Sequence, residues 1–230
     1  MPEPATETSK HVPTGNELTS ADFLSLWTAA QAILKHRVFA ESARVIFDEA
    51  CRMTGAVSGY VALLNEDGSE NEVLFLEAGG LPCTVDPDLP MPIRGLRAES
   101  YESHKAVYDN DFMHSQWIKY MPEGHVSLKN VMFSPLNIEG KTVGIMGLAN
   151  KEGDFSERDA TLATAYGELA AIALSNSRTL DELDSTVSKL EDFNEILVGR
   201  EMRIIEIKKE INTLCREMGK EIVYPEAWEE

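Results

Sequence analysis

Cysteine is scarce in this chain of 230 residues: Cys51, Cys83 and Cys215 stand far apart, with no C-x-x-C pair. That argues against a disulfide framework and a zinc-thiolate cluster, and for a reducing compartment, the cytoplasm. Basic residues are also few. Lys and Arg number 21 against 39 Asp and Glu, a formal charge of −18, which repels nucleic acid and anionic membrane surfaces alike. No apolar run approaches the ~20 residues of a membrane span. The N-terminus, MPEPATETSKHVPTGNE, lacks the basic start and apolar stretch of a signal peptide. Also missing are G-x-S-x-G, the phosphate-cradling G-x-x-x-x-G-K-[ST], and a paired-carboxylate context. With no catalytic constellation, the expectation is a protein that is not an enzyme. Hydrophobic residues, at 43%, are plentiful enough for a real core.

Residues 1–18 are rich in Pro, Glu, Thr and Ser and read as a disordered lead-in. Thr19 with Asp22 three residues on makes a capping box. Phe23, Trp27, Ala30 and Leu34 then recur at helical steps, one face of a first helix. Phe39, Ala43, Ile46, Phe47 and Ala50 form the apolar side of a second, ending near Gly55. The period then changes. Val57 to Leu64 and Glu72 to Leu76 flank Asn65-Glu66-Asp67-Gly68 as a hairpin, and Asn130 to Ile138 and Thr142 to Ala149 flank Glu139-Gly140 as another. Pro135 cannot donate to a ladder, so its strand is expected to bulge or lie at an edge there. Between the hairpins lies a long irregular stretch holding Tyr101, His104, Tyr108, Met113, His114, Trp117 and Tyr120. Such a segment inside a compact domain is a functional candidate.

Proline is absent from Ser156 until Pro225, which predicts a helix of about 60 residues. Leu180, Leu183, Val187 and Leu190 are spaced as a coiled-coil seam, continued by Phe193, Leu197, Ile204, Ile207, Ile211, Leu214 and Met218. The step from Leu190 to Phe193 is one residue short, a stammer. A second copy of the chain is the expected partner, giving a homodimer through residues 179–220, with strand direction open.

The run NVMFSPLNIEGKTVGIMGLANKEGDFSERDATLATAYGELAAIALSNSR, residues 130–178, resembles the GAF domains of bacterial and archaeal sensor histidine kinases. LVGREMRIIEIKKEINTLCREMGK, residues 197–220, is similar to the signalling linkers that follow such sensors. The resemblance implies an α+β fold: a six-stranded antiparallel sheet, helices on one face and a ligand pocket on the other. It divides the chain into a lead (1–18), a GAF sensor domain (19–178), a coiled-coil helix (179–220) and a tail (221–230). It also implies a dimeric cytosolic sensor that binds a small molecule and signals to a histidine kinase or other partner of a two-component system. No kinase core follows, so the output domain is expected on another polypeptide.

By the same resemblance the pocket draws on Met113, His114, Trp117, Tyr120 and His125, with Tyr60, Asn130 and Met132 from strands. Asn150, Lys151, Phe155 and Asp159 are similar to a cyclic-nucleotide GAF signature, but Ala160 departs from it. A local reading suffices: Ser156 caps the exit helix, Asp159 closes the box and Lys151 pairs with it. The cofactor is left unknown. Haem is one candidate, on His104, His114 and His125, and Asp109, Asp111 and His114 are a weaker set for a bare cation. Two further readings are an interaction module without a ligand and a reductase resembling free methionine sulfoxide reductases. The latter needs two thiols at the pocket, where Cys83 alone is placed.

Overall fold

The computed structural model describes residues 18–224, apart from 83, 87 and 88. The expectation for the lead therefore falls outside the described residues, but for its last residue, Leu18; so do the end of the tail and Cys83. Two units divide between Ser177 and Arg178.

The first unit opens with helices α1 (Ser20–Lys35) and α2 (Phe39–Thr54). The expected capping box is present at α1: the Asp22 amide donates to Thr19 Oγ1, and the Asp22 carboxylate takes the Thr19 amide. Helix α2 stops at Gly55, whose φ of 79° is the left-handed value common beyond helix ends. Its Phe39, Ala43, Ile46, Phe47 and Ala50 are all buried, as their spacing suggests. The apolar face of α1 behaves differently. Phe23, Trp27 and Leu34 are 61%, 62% and 89% exposed, while Asp22, Ser25, Ala29 and Ala32 are turned inward. Inside, Ser25 shares its hydroxyl with Tyr166 and Glu49 at 2.5 Å each. A polar bridge, together with the inward-facing Ala29, Leu26 and Ile33 rather than the expected Phe23–Trp27–Leu34 stripe, thus seats α1.

Strands β1 (Ser58–Leu64), β2 (Asn71–Glu77), β3 (Val107–Asp109), β4 (Val131–Ile138) and β5 (Lys141–Ala149) form one antiparallel sheet in the order β2-β1-β5-β4-β3. Among the described residues it has five strands, so the expected six is corrected to five. Both expected hairpins are present, and Glu139 and Gly140 take φ of 50° and 76° in the second, the primed-turn geometry that follows strand twist. Strand β3 pairs only with Val131 to Phe133, leaving Pro135 beyond its reach, and a register shift follows at Leu136/Asn137.

Residues alternate sides along each strand. On β4, Met132 and Leu136 join a core shared with α1, α2 and the start of α4 (Glu157–Glu217), whereas Val131 belongs to a second cluster with Leu96 and Phe112. That second cluster is covered by α3 (Leu96–Ser103) and two short 3-10 turns, Phe112–His114 and Ile118–Tyr120. On the other face, α4 lies close because small residues, Ala163, Ala170 and Ala173, surround its anchors Leu162, Tyr166 and Leu174. The Ser134 hydroxyl donates to the Ala163 carbonyl at 2.7 Å, tying sheet to helix.

In the second unit, the remainder of α4 exposes Leu183, Val187, Leu190, Phe193 and Leu214, all on the predicted seam. After Gly219 the chain turns back. Tyr224 donates its amide to Asn212 Oδ1 and accepts from Asn212 Nδ2 at 2.8 Å, which buries Asn212.

Candidate functional site

The sheet face opposite α1 and α2 does not close completely against its covering segment. It leaves a cavity of about 650 Å³ between β1, β2, β5, β4 and residues 85–86 and 89–128. The floor is built by side-chain alternation. Tyr60 of β1 sits opposite Gly147 of β5, and a Cβ at Gly147 would lie 2.7 Å from the Tyr60 ring. Absence of a side chain there is what lets Tyr60 lie over the sheet. Phe133 adds a second ring 6.4 Å from that of Tyr60.

The wall comes from the segment around α3. Gly95 takes φ 67° and ψ −149°, a region essentially closed to residues with a Cβ. A Cβ there would stand 2.9 Å from the Tyr120 ring. The Tyr120 ring in turn lies beneath the Arg94 guanidinium, 5.6 Å from the centroid, within cation–π range. One helical turn on, Arg97 donates to the Tyr60 hydroxyl at 3.3 Å and to the Pro92 carbonyl at 3.2 Å. Trp117, Met121 and His125 complete the far side. His125 Nδ1 donates to the Val126 carbonyl at 2.8 Å.

Of the eight residues expected at the pocket, Tyr60, Trp117, Tyr120 and His125 line this cavity. Met113, His114, Asn130 and Met132 do not. Met113 is exposed, and the His114 side chain, 82% exposed, pairs with Asp111 at 2.6 Å. The 3-10 turn there places Phe112 inward, so its two successors point out. Met132 is buried on the helix side because it lies one residue out of phase with Val131 and Phe133. Asn130 is fully buried but structural: it donates to the Lys151 and Gly153 carbonyls and accepts the Lys151 amide. Phe133, Met91, Arg94 and Arg97 are among the lining residues that were missed. Strand parity would have found Phe133, whereas nothing in the spacing marks the two arginines.

The three histidines considered for haem do not converge. His104 bonds Thr142 at 2.8 Å and His114 is at the surface, so His125 alone reaches the cavity. Asp109 and Asp111 are engaged in their own turn: Asp109 accepts the Asp111 amide and Asp111 holds His114. The Lys151–Asp159 pair has a local job. Asp159 accepts from Lys151 Nζ, from the Ser156 amide and from its hydroxyl, closing the N-terminal box of α4. Cys51 packs on the helix side of the sheet, and burial pushes its thiol up to about 12, the nearby carboxylates adding to the shift.

A family profile described as GAF domain matches residues 37–175. The chain therefore belongs to the GAF domain family, here with a long helix following the domain. It is 25% identical over 186 residues to the "Methyl sulfide methyltransferase-associated sensor" of Methanosarcina acetivorans, an alignment covering 78% of this chain and 17% of that protein. The chain thus spans about a sixth of the length of that relative. Among solved structures, the GAF domain of a Coxiella burnetii phosphoenolpyruvate-protein phosphotransferase aligns with TM-score 0.60 and 15% identity, over 71% of this chain and 99% of that one. A free methionine-R-sulfoxide reductase from Neisseria meningitidis aligns with TM-score 0.57 and 14% identity, over 73% and 98%. At such identities the likeness is one of fold. No helix among the described residues is long and apolar enough to cross a membrane.

Proposed function

We propose that this chain is the sensing part of a two-component-type signalling system, which binds a small organic molecule in the cavity and works as a homodimer through residues 179–220. The observation that carries the reading is the cavity itself. At about 650 Å³ it has the size of a small-molecule site, and an apolar, aromatic wall is interrupted by a few polar groups. The name of the Methanosarcina relative, a sensor, supports the same reading.

The route from cavity to output is short. The sheet is one residue thick, so Val131 and Phe133 face the cavity while Met132 and Leu136 press on the core that includes Leu162 and Tyr166 of α4. A second link runs from the β3 edge of the sheet. Tyr108 of β3 donates to Glu157 in the first turn of α4 at 2.9 Å, and Asn110 exchanges two hydrogen bonds with the Phe155 backbone. A ligand that binds one arrangement of the covering segment more tightly shifts the start of α4 by that difference in affinity. Helix α4 then carries the change to a kinase or other signalling partner. The exposed seam of Leu183, Val187 and Leu190 supports a second copy as the partner that covers it.

Native mass spectrometry and a visible spectrum of the purified chain test the ligand. A retained small molecule upholds the reading, with a Soret band identifying haem on His125. An empty protein that no added compound stabilises against heat overturns it in favour of an interaction module. Leu183→Asp is expected to convert dimer to monomer in sedimentation, and an unchanged dimer would refute the seam.

A further inference from the structure

Charge is distributed unevenly around the cavity. In a chain of net charge −18, its wall holds two arginines, Arg94 and Arg97, three positions apart at the start of α3. Among the described residues neither is within ion-pair distance of a carboxylate. Arg97 is half-buried, and its contacts are neutral: the Tyr60 hydroxyl and the Pro92 carbonyl. Those bonds use two of its five N–H donors. Arg94 is held only against the Tyr120 ring. Arg94 is exposed at the rim, whereas the Arg97 guanidinium is drawn partly out of water into the wall, where such a group is ordinarily matched by an anion. The acids that share the lining are Glu77 and Asp86. Glu77 accepts the Gly79 amide and acts on Asp48 and Cys51, at the β2 edge.

We infer that the cavity takes an organic acid: a flat, largely apolar molecule whose carboxylate or comparable anionic group is received by Arg94 and Arg97, its ring system lying against Tyr60, Phe133 and Trp117. This rests on the reading of the cavity as a ligand site and adds the chemical class. The fork of an arginine suits a planar carboxylate, and the aromatic floor suits the ring. Burying an uncharged analogue there would forgo the charge-assisted bonds while keeping the apolar ones.

Two fluorescent probes of matched shape separate these contributions. 1-Anilinonaphthalene-8-sulfonate carries an anion, and N-phenyl-1-naphthylamine is the same ring framework without it. Titrated against the full chain, the sulfonate is expected to bind about ten- to a hundredfold more tightly, the worth of a charge-assisted bond. Arg94→Met and Arg97→Met should each remove most of that preference while leaving the neutral probe's affinity unchanged. Arg203→Met, far along α4, should alter neither. Arg94 is the cleaner test, because it has no hydrogen bond to lose, and unchanged circular dichroism identifies variants that fold. Equal binding of both probes, or a preference insensitive to both cavity arginines, overturns the acid class while leaving a ligand site. Binding of neither probe overturns the ligand site and the acid class together.

Discussion

Replacing Asp22 by alanine tests how the first helix is fixed to the rest of the GAF domain. The Asp22 carboxylate is buried and serves two elements at once. It accepts the Thr19 amide at 2.6 Å and hydroxyl at 2.9 Å, and takes Arg158 of α4 at 2.5 Å. Loss of the cap costs about 1 kcal/mol. Breaking a fully buried ion pair costs about 3–5 kcal/mol, and Arg158, 26% exposed, keeps some access to water, so about 2 kcal/mol is reasonable here. The sum is ~3 kcal/mol. With a urea slope of about 2 kcal/mol per molar, the midpoint should fall by ~1.5 M. Combining Asp22→Ala with Arg158→Met should cost less than the separate losses added together, by at least about 1 kcal/mol.

The pH dependence adds a sign. Burial by itself raises the carboxyl's pKa, but the Thr19 donors and Arg158 outweigh it and hold it below the ordinary range. A depressed folded value stabilises fully above the unfolded value near pH ~4, and that stabilisation is lost as pH falls through the folded value. The gap between wild type and Asp22→Ala should therefore hold steady down to about pH 5 and narrow in stronger acid. A midpoint shift below about 0.5 M, or a gap that widens in acid, would refute the account of this clamp.

Asn130→Ala should cost about 3 kcal/mol in urea unfolding, one for each of its three hydrogen bonds to the loop after β5. It should leave probe affinity in the cavity unchanged; a stable variant with lost binding would return Asn130 to the site. Cys51, with a thiol pushed up to about 12, should resist a disulfide reagent near pH 8 in the folded protein and react on unfolding, as followed by mass mapping. Rapid labelling of native Cys51 would contradict its burial.

The features that could be read from the sequence are those decided within a few residues. The Thr19–Asp22 and Ser156–Asp159 boxes, the Glu139-Gly140 turn and the helix free of proline beyond Ser156 all follow from local backbone chemistry, and all are present. Where two distant segments had to be brought together, local pattern misled. The apolar spacing of Phe23, Trp27 and Leu34 was visible, yet it is Ser25 that the fold turns inward, because Tyr166 and Glu49 wait there with polar groups. On β4 the error was one of phase. Met132 sits on the helix side and Val131 and Phe133 on the cavity side, a choice set by which neighbour covers which face, while Asn130, just before the strand, is taken up by the loop after β5.

The sequence by itself determined the two hairpins and a helix of some 60 residues with an apolar seam, since each depends on periods of two or 3.6 residues and on turn chemistry, while the class of fold followed from the resemblance of residues 130–178 to the GAF family. Only the tertiary structure decided the cavity and its charge. Arg94 ends a proline-rich approach and Arg97 lies in the first turn of α3, neither marked by a period, and they meet Tyr120 and Tyr60 on either side of Gly95, whose backbone is closed to other residues. The contrast has one physical reason: backbone preferences act between neighbours, whereas a pocket is made by side chains far apart in the chain that happen to share a void.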